Sequence, residues 1–119
     1  MTGLLDTNVA LYLLGGRLAE PLPEGEYAIS VITEMELLAY PTLTPEEEIR
    51  IRQFIASLTL YELTPAIRLR AVALRRTHRL KLPDAIVAAT ALEHRAELWT
   101  NDVRLSSISG LICRNVRVQ

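Results

Sequence analysis

Residues 1–8, MTGLLDTN, place a carboxylate directly at the end of a short apolar run. The run Gly3–Leu5 predicts a strand, and the stretch VALYLL that follows Asn8 predicts a helix. An ionised carboxylate is costly to bury unless another group pairs with it. Asp6 therefore either caps the helix or lies at the mouth of a site that needs negative charge.

Five short apolar runs alternate with helical patterns along the chain: GLL, YAIS, TLYEL, ELWT and LICRNVRV. Most of them lack polar alternation, which is typical of strands buried on both faces of a parallel sheet. We therefore expect a three-layer α/β/α fold with a central, mostly parallel five-stranded sheet, and one domain spanning residues 1–119. In such folds ligands bind beyond the carboxyl ends of the strands, where Asp6 lies.

Three helices carry a proline at their predicted start. Thr44 and Thr64 are expected N-caps, each followed by a proline at the first helical position, and Pro83 opens the small-residue helix LPDAIVAATALEHR. The helix VALYLLGG is apolar enough to be core, although it would equally suit a dimer interface or a groove for a partner protein.

The composition is that of an ordinary globular protein, with 50% hydrophobic and 23% charged residues. The single cysteine, Cys113, cannot form an intramolecular disulfide, and its place in an apolar run predicts a core residue. The N-terminus lacks the basic region of a signal peptide, and no apolar stretch reaches the ~18 residues of a membrane span. The sequence predicts a soluble, cytoplasmic protein.

The net charge of −1 conceals a division of the chain into an acidic part through Glu62 and a basic part after it. The basic residues are densest in residues 68–81, RLRAVALRRTHRLK. This segment is either a solvated helix face or a surface that contacts phosphates. The candidate nucleic-acid contacts are Arg75, Arg76, Arg79 and Lys81.

Three further acidic residues occupy places comparable to that of Asp6: Glu36 in the helix after the second strand, Asp84 in the first turn of a helix, and Asp102 just past the strand ELW. Each has a simpler interpretation. Glu36 completes a possible capping box with Thr33, and the other two carboxylates would favour helix N-termini. Asp6, Asp84 and Asp102 nevertheless all fall at predicted strand-to-helix junctions, which together indicates a shared site.

Four converging carboxylates without a histidine or cysteine cluster suit Mg²⁺ or Mn²⁺ rather than zinc. Such an ion can activate a water and stabilise a phosphoryl transition state. Polar residues near the acids in sequence could orient them. These are Thr7, Asn8, Ser30, Thr33, Thr100 and Asn101.

The chain resembles the PIN-domain ribonucleases, most closely the VapC-type toxins of type II toxin–antitoxin pairs. The matching segments are LLDTNV, ISVITEMEL, LPDAIVAATAL and LWTND, in the order and spacing of that family. The resemblance implies a metal-binding catalytic quartet of Asp6, Glu36, Asp84 and Asp102, with Mg²⁺ or Mn²⁺ as cofactor. It also implies cleavage of an RNA substrate by a homodimer, leaving 5′-phosphate and 3′-hydroxyl ends, and inhibition by a cognate antitoxin.

One segment departs from the family pattern. Many members carry a further acid after the TND segment, whereas this chain continues Val103-Arg104-Leu105, which favours one tightly bound ion over two. The main alternative is a PIN scaffold that no longer cuts and only binds RNA or a partner protein. A phosphoacceptor receiver domain lacks its paired acids and its lysine here, and no glycine-rich loop of a nucleotide-binding enzyme follows the first strand.

Overall fold

The computed structural model of the protein describes residues 2–119. Five strands form one sheet: β1 (Gly3–Leu5), β2 (Tyr27–Ser30), β3 (Thr59–Tyr61), β4 (Glu97–Trp99) and β5 (Cys113–Arg114). Five α-helices connect them: α1 (Thr7–Leu14), α2 (Val31–Leu38), α3 (Pro45–Ala56), α4 (Pro65–His78) and α5 (Leu82–His94). A 3₁₀ helix, η1 (Val103–Ser107), lies between β4 and β5.

The strands are all parallel and lie in the order β3-β2-β1-β4-β5, so β1 is the central strand. Leu4 of β1 pairs with Ala28 of β2 on one side and Leu98 of β4 on the other. All three side chains are fully buried, as expected for strands covered on both faces. The predicted α/β class and the five-stranded sheet are confirmed.

Successive residues of β1 point to opposite faces of the sheet and enter different cores. Leu4 packs in a cluster with Ile67 of α4 and Ala88 of α5, while Leu5 packs with Val9 of α1 and Ile51 of α3. Helices α4 and α5 therefore cover one face of the sheet, and α1 and α3 cover the other. This arrangement is the predicted three-layer architecture.

All three helices carry the predicted proline in their first turn, and two of them also have the predicted threonine cap. Thr44 accepts a hydrogen bond from the Glu47 amide in a complete capping box, and Thr64 caps α4 in the same way. Helix α5 begins at Leu82, one residue before Pro83. The capping box proposed for Thr33 and Glu36 is wrong, because α2 begins three residues earlier than that box requires, with Ser30 as its N-cap.

Two strands are shorter than the apolar runs predicted. The third run forms a strand only over Thr59–Tyr61, and the last only over Cys113–Arg114. Beyond Arg114 the side chain of Asn101 bonds to both the amide and the carbonyl of Val116, so these backbone groups do not continue the ladder with β4. Cys113 is half-buried and packs against the core cluster of α4 and α5.

Helix α1 belongs mainly to the core. Val9 and Ala10 are fully buried, and Leu11, Leu13 and Leu14 are half-buried against the same cluster. The core interpretation therefore accounts for most of the apolar character of this helix.

Gly3 lies where the central strand passes beneath two aromatic rings. A Cβ at this position would come within 2.7 Å of Trp99 Nε1 and 2.8 Å of the Tyr27 ring, and these two rings pack edge to face. We expect Gly3→Ala to lower the free energy of unfolding by about 1–3 kcal/mol, because the rings must move to admit the methyl group. Urea unfolding measures this as a lower midpoint at constant slope. An unchanged midpoint would show that the rings adapt without cost.

Candidate active site

The parallel sheet brings four acidic side chains to one edge. Asp6 follows β1, Asp102 follows β4, Asp84 lies in the first turn of α5, and Glu36 projects from α2. All four line one open pocket of about 420 Å³ beyond the carboxyl ends of the strands. The structure thus gathers every acid that the sequence singled out, including Glu36, which reaches the pocket from within a helix.

Asp6 is both a helix cap and a wall of the pocket. Its Oδ1 accepts a hydrogen bond of 2.7 Å from the Val9 amide at the start of α1. Burial raises the pKa of the Asp6 carboxyl above its usual range, and the nearby charges of Asp84 and Asp102 raise it further. The Thr100 hydroxyl and the Val9 amide act in the opposite direction. Asp6 is therefore the N-cap of α1, as one interpretation predicted, and it also lines the acidic pocket.

Glu36 is held by a short chain of hydroxyl groups. Thr7 donates a hydrogen bond of 2.6 Å to Glu36 Oε1, and its oxygen lies 3.1 Å from the hydroxyl of Thr33, which is fully buried. A buried hydroxyl has few alternative partners, so this chain fixes both threonines. Two of the predicted supporting residues thus lie directly behind one of the four acids.

Asp84 and Asp102 share a cation that was not among the predicted site residues. Arg104, on η1, bonds through Nε to both oxygens of Asp102, at 3.0 and 3.2 Å, and through a terminal nitrogen to Asp84 Oδ2, at 3.3 Å. This guanidinium lowers the pKa of the Asp102 carboxyl. The sequence does contain a hint of this pairing, because Arg104 follows Asp102 by two positions, just after the end of β4.

Thr100 and Ser30 support the backbone beside the acids. Both side chains are almost completely buried. Thr100 accepts a hydrogen bond of 3.0 Å from the Asp102 amide, and Ser30 accepts one of 3.1 Å from the Ile32 amide at the start of α2. These bonds fix the turn that carries Asp102 and the first turn of α2, the helix on which Glu36 lies.

The remaining two polar candidates differ in position. Asn8 is exposed and lines the acidic pocket. Asn101 turns away from the acids and bonds to the backbone of Val116 at 2.8 and 3.0 Å. Its visible role is to hold the C-terminal segment against the loop after β4.

The predicted basic surface lies next to the acidic pocket along the chain. Arg75 and Arg76 are in the last turn of α4, Arg79 is its C-cap, and Lys81 is the N-cap residue of α5, three positions before Asp84. All four side chains belong to exposed residues, and none lines the pocket itself. A second groove, of about 810 Å³, is also lined by Asp102.

A divalent cation requires several ligand atoms that converge on one point. Among residues 2–119, no three His, Cys, Asp or Glu side chains converge on one metal position as the side chains stand. Two of the four pocket acids are instead directed to Arg104. The pocket nevertheless offers only oxygen ligands beside hydroxyl groups that orient them, which is the chemistry that Mg²⁺ and Mn²⁺ prefer.

An all-parallel α/β domain with acids gathered at its carboxyl edge is the class of structure to which PIN domains belong. The PIN domain model matches residues 3–111, and the chain belongs to this family. No curated protein matches the chain. Among solved structures, a toxin–antitoxin complex from Klebsiella pneumoniae shares 37% identity at a TM-score of 0.78, covering 92% of this chain and 95% of the other.

Two further solved structures are similar over nearly their whole length. VapBC-1 from nontypeable Haemophilus influenzae has 25% identity and a TM-score of 0.77, covering 97% of this chain and 98% of the other. DNA-bound VapBC from Salmonella typhimurium has 21% identity and a TM-score of 0.82, covering 97% of this chain and 98% of the other. This similarity shows a common fold. The resemblance to VapC-type PIN domains predicted from the sequence is confirmed.

No helix within residues 2–119 combines the length and the apolar character that a crossing of the bilayer requires.

Proposed function

We propose that this chain, as a single PIN domain over residues 1–119, is the toxin of a toxin–antitoxin pair and hydrolyses RNA with the help of Mg²⁺ or Mn²⁺. The observation that carries the proposal is the meeting of Asp6, Glu36, Asp84 and Asp102 around one pocket at the carboxyl edge of the sheet. Membership of the PIN family and the similarity to toxin–antitoxin structures support it.

The four carboxylates would hold the ion, and the bound ion would activate a water and stabilise the phosphoryl transition state. The chain's own residues set the geometry. Asp6 is fixed by the Val9 amide, and Glu36 is fixed by Thr7. We expect cleaved RNA to carry 5′-phosphate and 3′-hydroxyl ends.

The alternative is a PIN scaffold that binds RNA or a partner protein without cutting. Cleavage of total cellular RNA by the purified protein separates the two, with Mg²⁺, with Mn²⁺ and with EDTA. Discrete fragments that require the metal support the nuclease. Intact RNA that stays bound to the protein under all three conditions would favour the scaffold.

The antitoxin partner and the homodimer belong to the same proposal. The similar structure from Klebsiella pneumoniae is a toxin–antitoxin complex. Co-expression with the protein encoded next door should give a stable complex without nuclease activity. Light scattering on the isolated chain would measure whether it is a dimer.

The basic segment at the end of α4 is the proposed RNA contact. We expect Arg75→Glu with Arg76→Glu to weaken RNA binding and to reduce the slope of log K against log salt by about 2, because two phosphate contacts are lost. Binding is measured over a salt series with the Asp6→Asn protein, so that the RNA stays intact. The matched control is Arg50→Glu with Arg52→Glu on α3, which changes the net charge equally. An unchanged slope, or equal slopes for the two pairs, would exclude this surface.

A further inference from the structure

Arg104 is the one basic side chain, among the described residues, that hydrogen-bonds to the acids of the pocket. It contacts Asp102 through two nitrogens and Asp84 through one. These two acids come from different elements, the loop after β4 and the first turn of α5. A single guanidinium thus links two of the four carboxylates that the proposed function assigns to a divalent cation.

The guanidinium is open to solvent, and its contact with Asp84 is the weaker of the two. The Arg104 side chain is 56% exposed, that of Asp84 36% and that of Asp102 26%, and ion pairs in contact with water contribute little stability. The backbone is anchored separately, because the Arg104 amide donates its own hydrogen bond of 3.0 Å to Asp102. The guanidinium can therefore leave the carboxylates without unfolding the 3₁₀ helix.

A divalent cation in this pocket would have to compete with the guanidinium of Arg104. The guanidinium bonds to both oxygens of Asp102 and to one of Asp84, and its positive charge would repel a cation bound to the same carboxylates. With Arg104 in place, no three acids within residues 2–119 converge on one point. Binding of the ion is therefore expected to be favoured when the guanidinium moves away.

We propose that Arg104 is a displaceable internal counterion, which neutralises Asp84 and Asp102 in the metal-free protein and must release them before a divalent cation binds. The inference rests on the proposed function and adds a regulatory property to that site. Arg104 raises the metal concentration at which the site fills. It also relieves repulsion among the four carboxylates while the site is empty.

The test is a Mn²⁺ titration followed by electron paramagnetic resonance, which counts free ions and needs no RNA. We expect Arg104→Gln to bind Mn²⁺ about tenfold more tightly than the wild type, since the competing ion pairs are gone. Arg104→Lys keeps the charge and should stay within about threefold of the wild type. A damaged pocket would bind more weakly, so tighter binding is not explained by a merely structural role.

Arg114→Gln is the matched control. Arg114 is 55% exposed and bonds through two nitrogens to Glu97, outside the acidic pocket, so the variant removes an equal charge from an equally exposed ion pair. Its Mn²⁺ affinity should equal that of the wild type. Tighter binding in both variants would indicate a general charge effect and overturn the proposal.

Two outcomes separate this inference from the proposed function. If the wild type binds Mn²⁺ and cleaves RNA but Arg104→Gln binds no more tightly, the counterion is rejected and the nuclease stands. If the wild type binds no Mn²⁺ at all, both are rejected. In the supported case, Arg104→Gln also reaches its half-maximal cleavage rate at a lower Mn²⁺ concentration than the wild type.

Discussion

Replacing Asp6 by asparagine is expected to reduce RNA cleavage by at least about 100-fold while the protein stays folded, because one of the charged ligands assigned to the divalent ion is lost. Asparagine is as good an N-cap as aspartate, so the hydrogen bond from the Val9 amide is retained. The variant therefore separates the two roles of Asp6. Normal cleavage by Asp6→Asn would reduce this residue to a helix cap.

The stability of Asp6→Asn provides an independent check. Burial raises the pKa of the Asp6 carboxyl in the folded protein, so the folded state binds the proton more tightly than the unfolded chain does. That contribution to stability is present at low pH and is lost as the pH rises through the raised pKa. Without added metal, we expect the variant to melt about 2–5 °C above the wild type at pH 7 and to lose this advantage near pH 4.

Asp6→Ala is the matched variant. It removes the charge together with the capping oxygen, which costs about 1 kcal/mol at an N-cap. We expect equal loss of cleavage and a lower melting temperature than that of Asp6→Asn. A melting temperature for Asp6→Asn below that of the wild type at pH 7 would contradict the claim that the buried charge destabilises the empty pocket.

Glu36→Gln is expected to reduce cleavage by about 100-fold or more with little change in stability, because the amide preserves the shape of the side chain and loses only the charge. The amide oxygen of glutamine can still accept the hydrogen bond that the Thr7 hydroxyl donates to Glu36 Oε1, at 2.6 Å. The measurement is the initial cleavage rate at saturating Mg²⁺ beside the unfolding midpoint. Glu34→Gln, on the same helix but outside the pocket, is the control and should retain full activity.

Thr7→Val gives a graded version of the same prediction. It leaves the carboxylate charged but removes the hydroxyl that orients it, an indirect role whose loss reduces metal affinity or activity by about 10–100-fold. Higher Mg²⁺ concentrations should restore part of its rate, whereas they should not restore Glu36→Gln. Equal, metal-independent losses in both variants would place Glu36 in a structural role.

Local chemistry made much of this fold predictable. Helices α3 and α4 each begin at a threonine–proline pair, and β1 and β2 are mostly apolar runs. Each of these signals depends only on residues that are adjacent in the sequence. The junctions that carry Asp6 and Asp102 follow from the same logic, since parallel strands end at one edge. Glu36 is the exception, because it reaches the pocket from within α2 and no strand end directs it there.

The features that escaped prediction depend on contacts between distant residues. The last strand ends early because Asn101 engages Val116, 15 positions away. Arg104 reaches Asp84, 20 positions away, only because η1 lies over the start of α5. Such pairings are set by tertiary geometry, which composition and periodicity do not encode.

The most direct test of the central claim is a crystal structure of the protein soaked in Mn²⁺, with the ion located by anomalous scattering. We predict one ion in the acidic pocket, coordinated by Asp6 and at least one other of the four acids at about 2.0–2.3 Å, with the Arg104 guanidinium withdrawn from Asp84. An acidic pocket without an anomalous peak at a Mn²⁺ concentration that supports RNA cleavage would contradict the account.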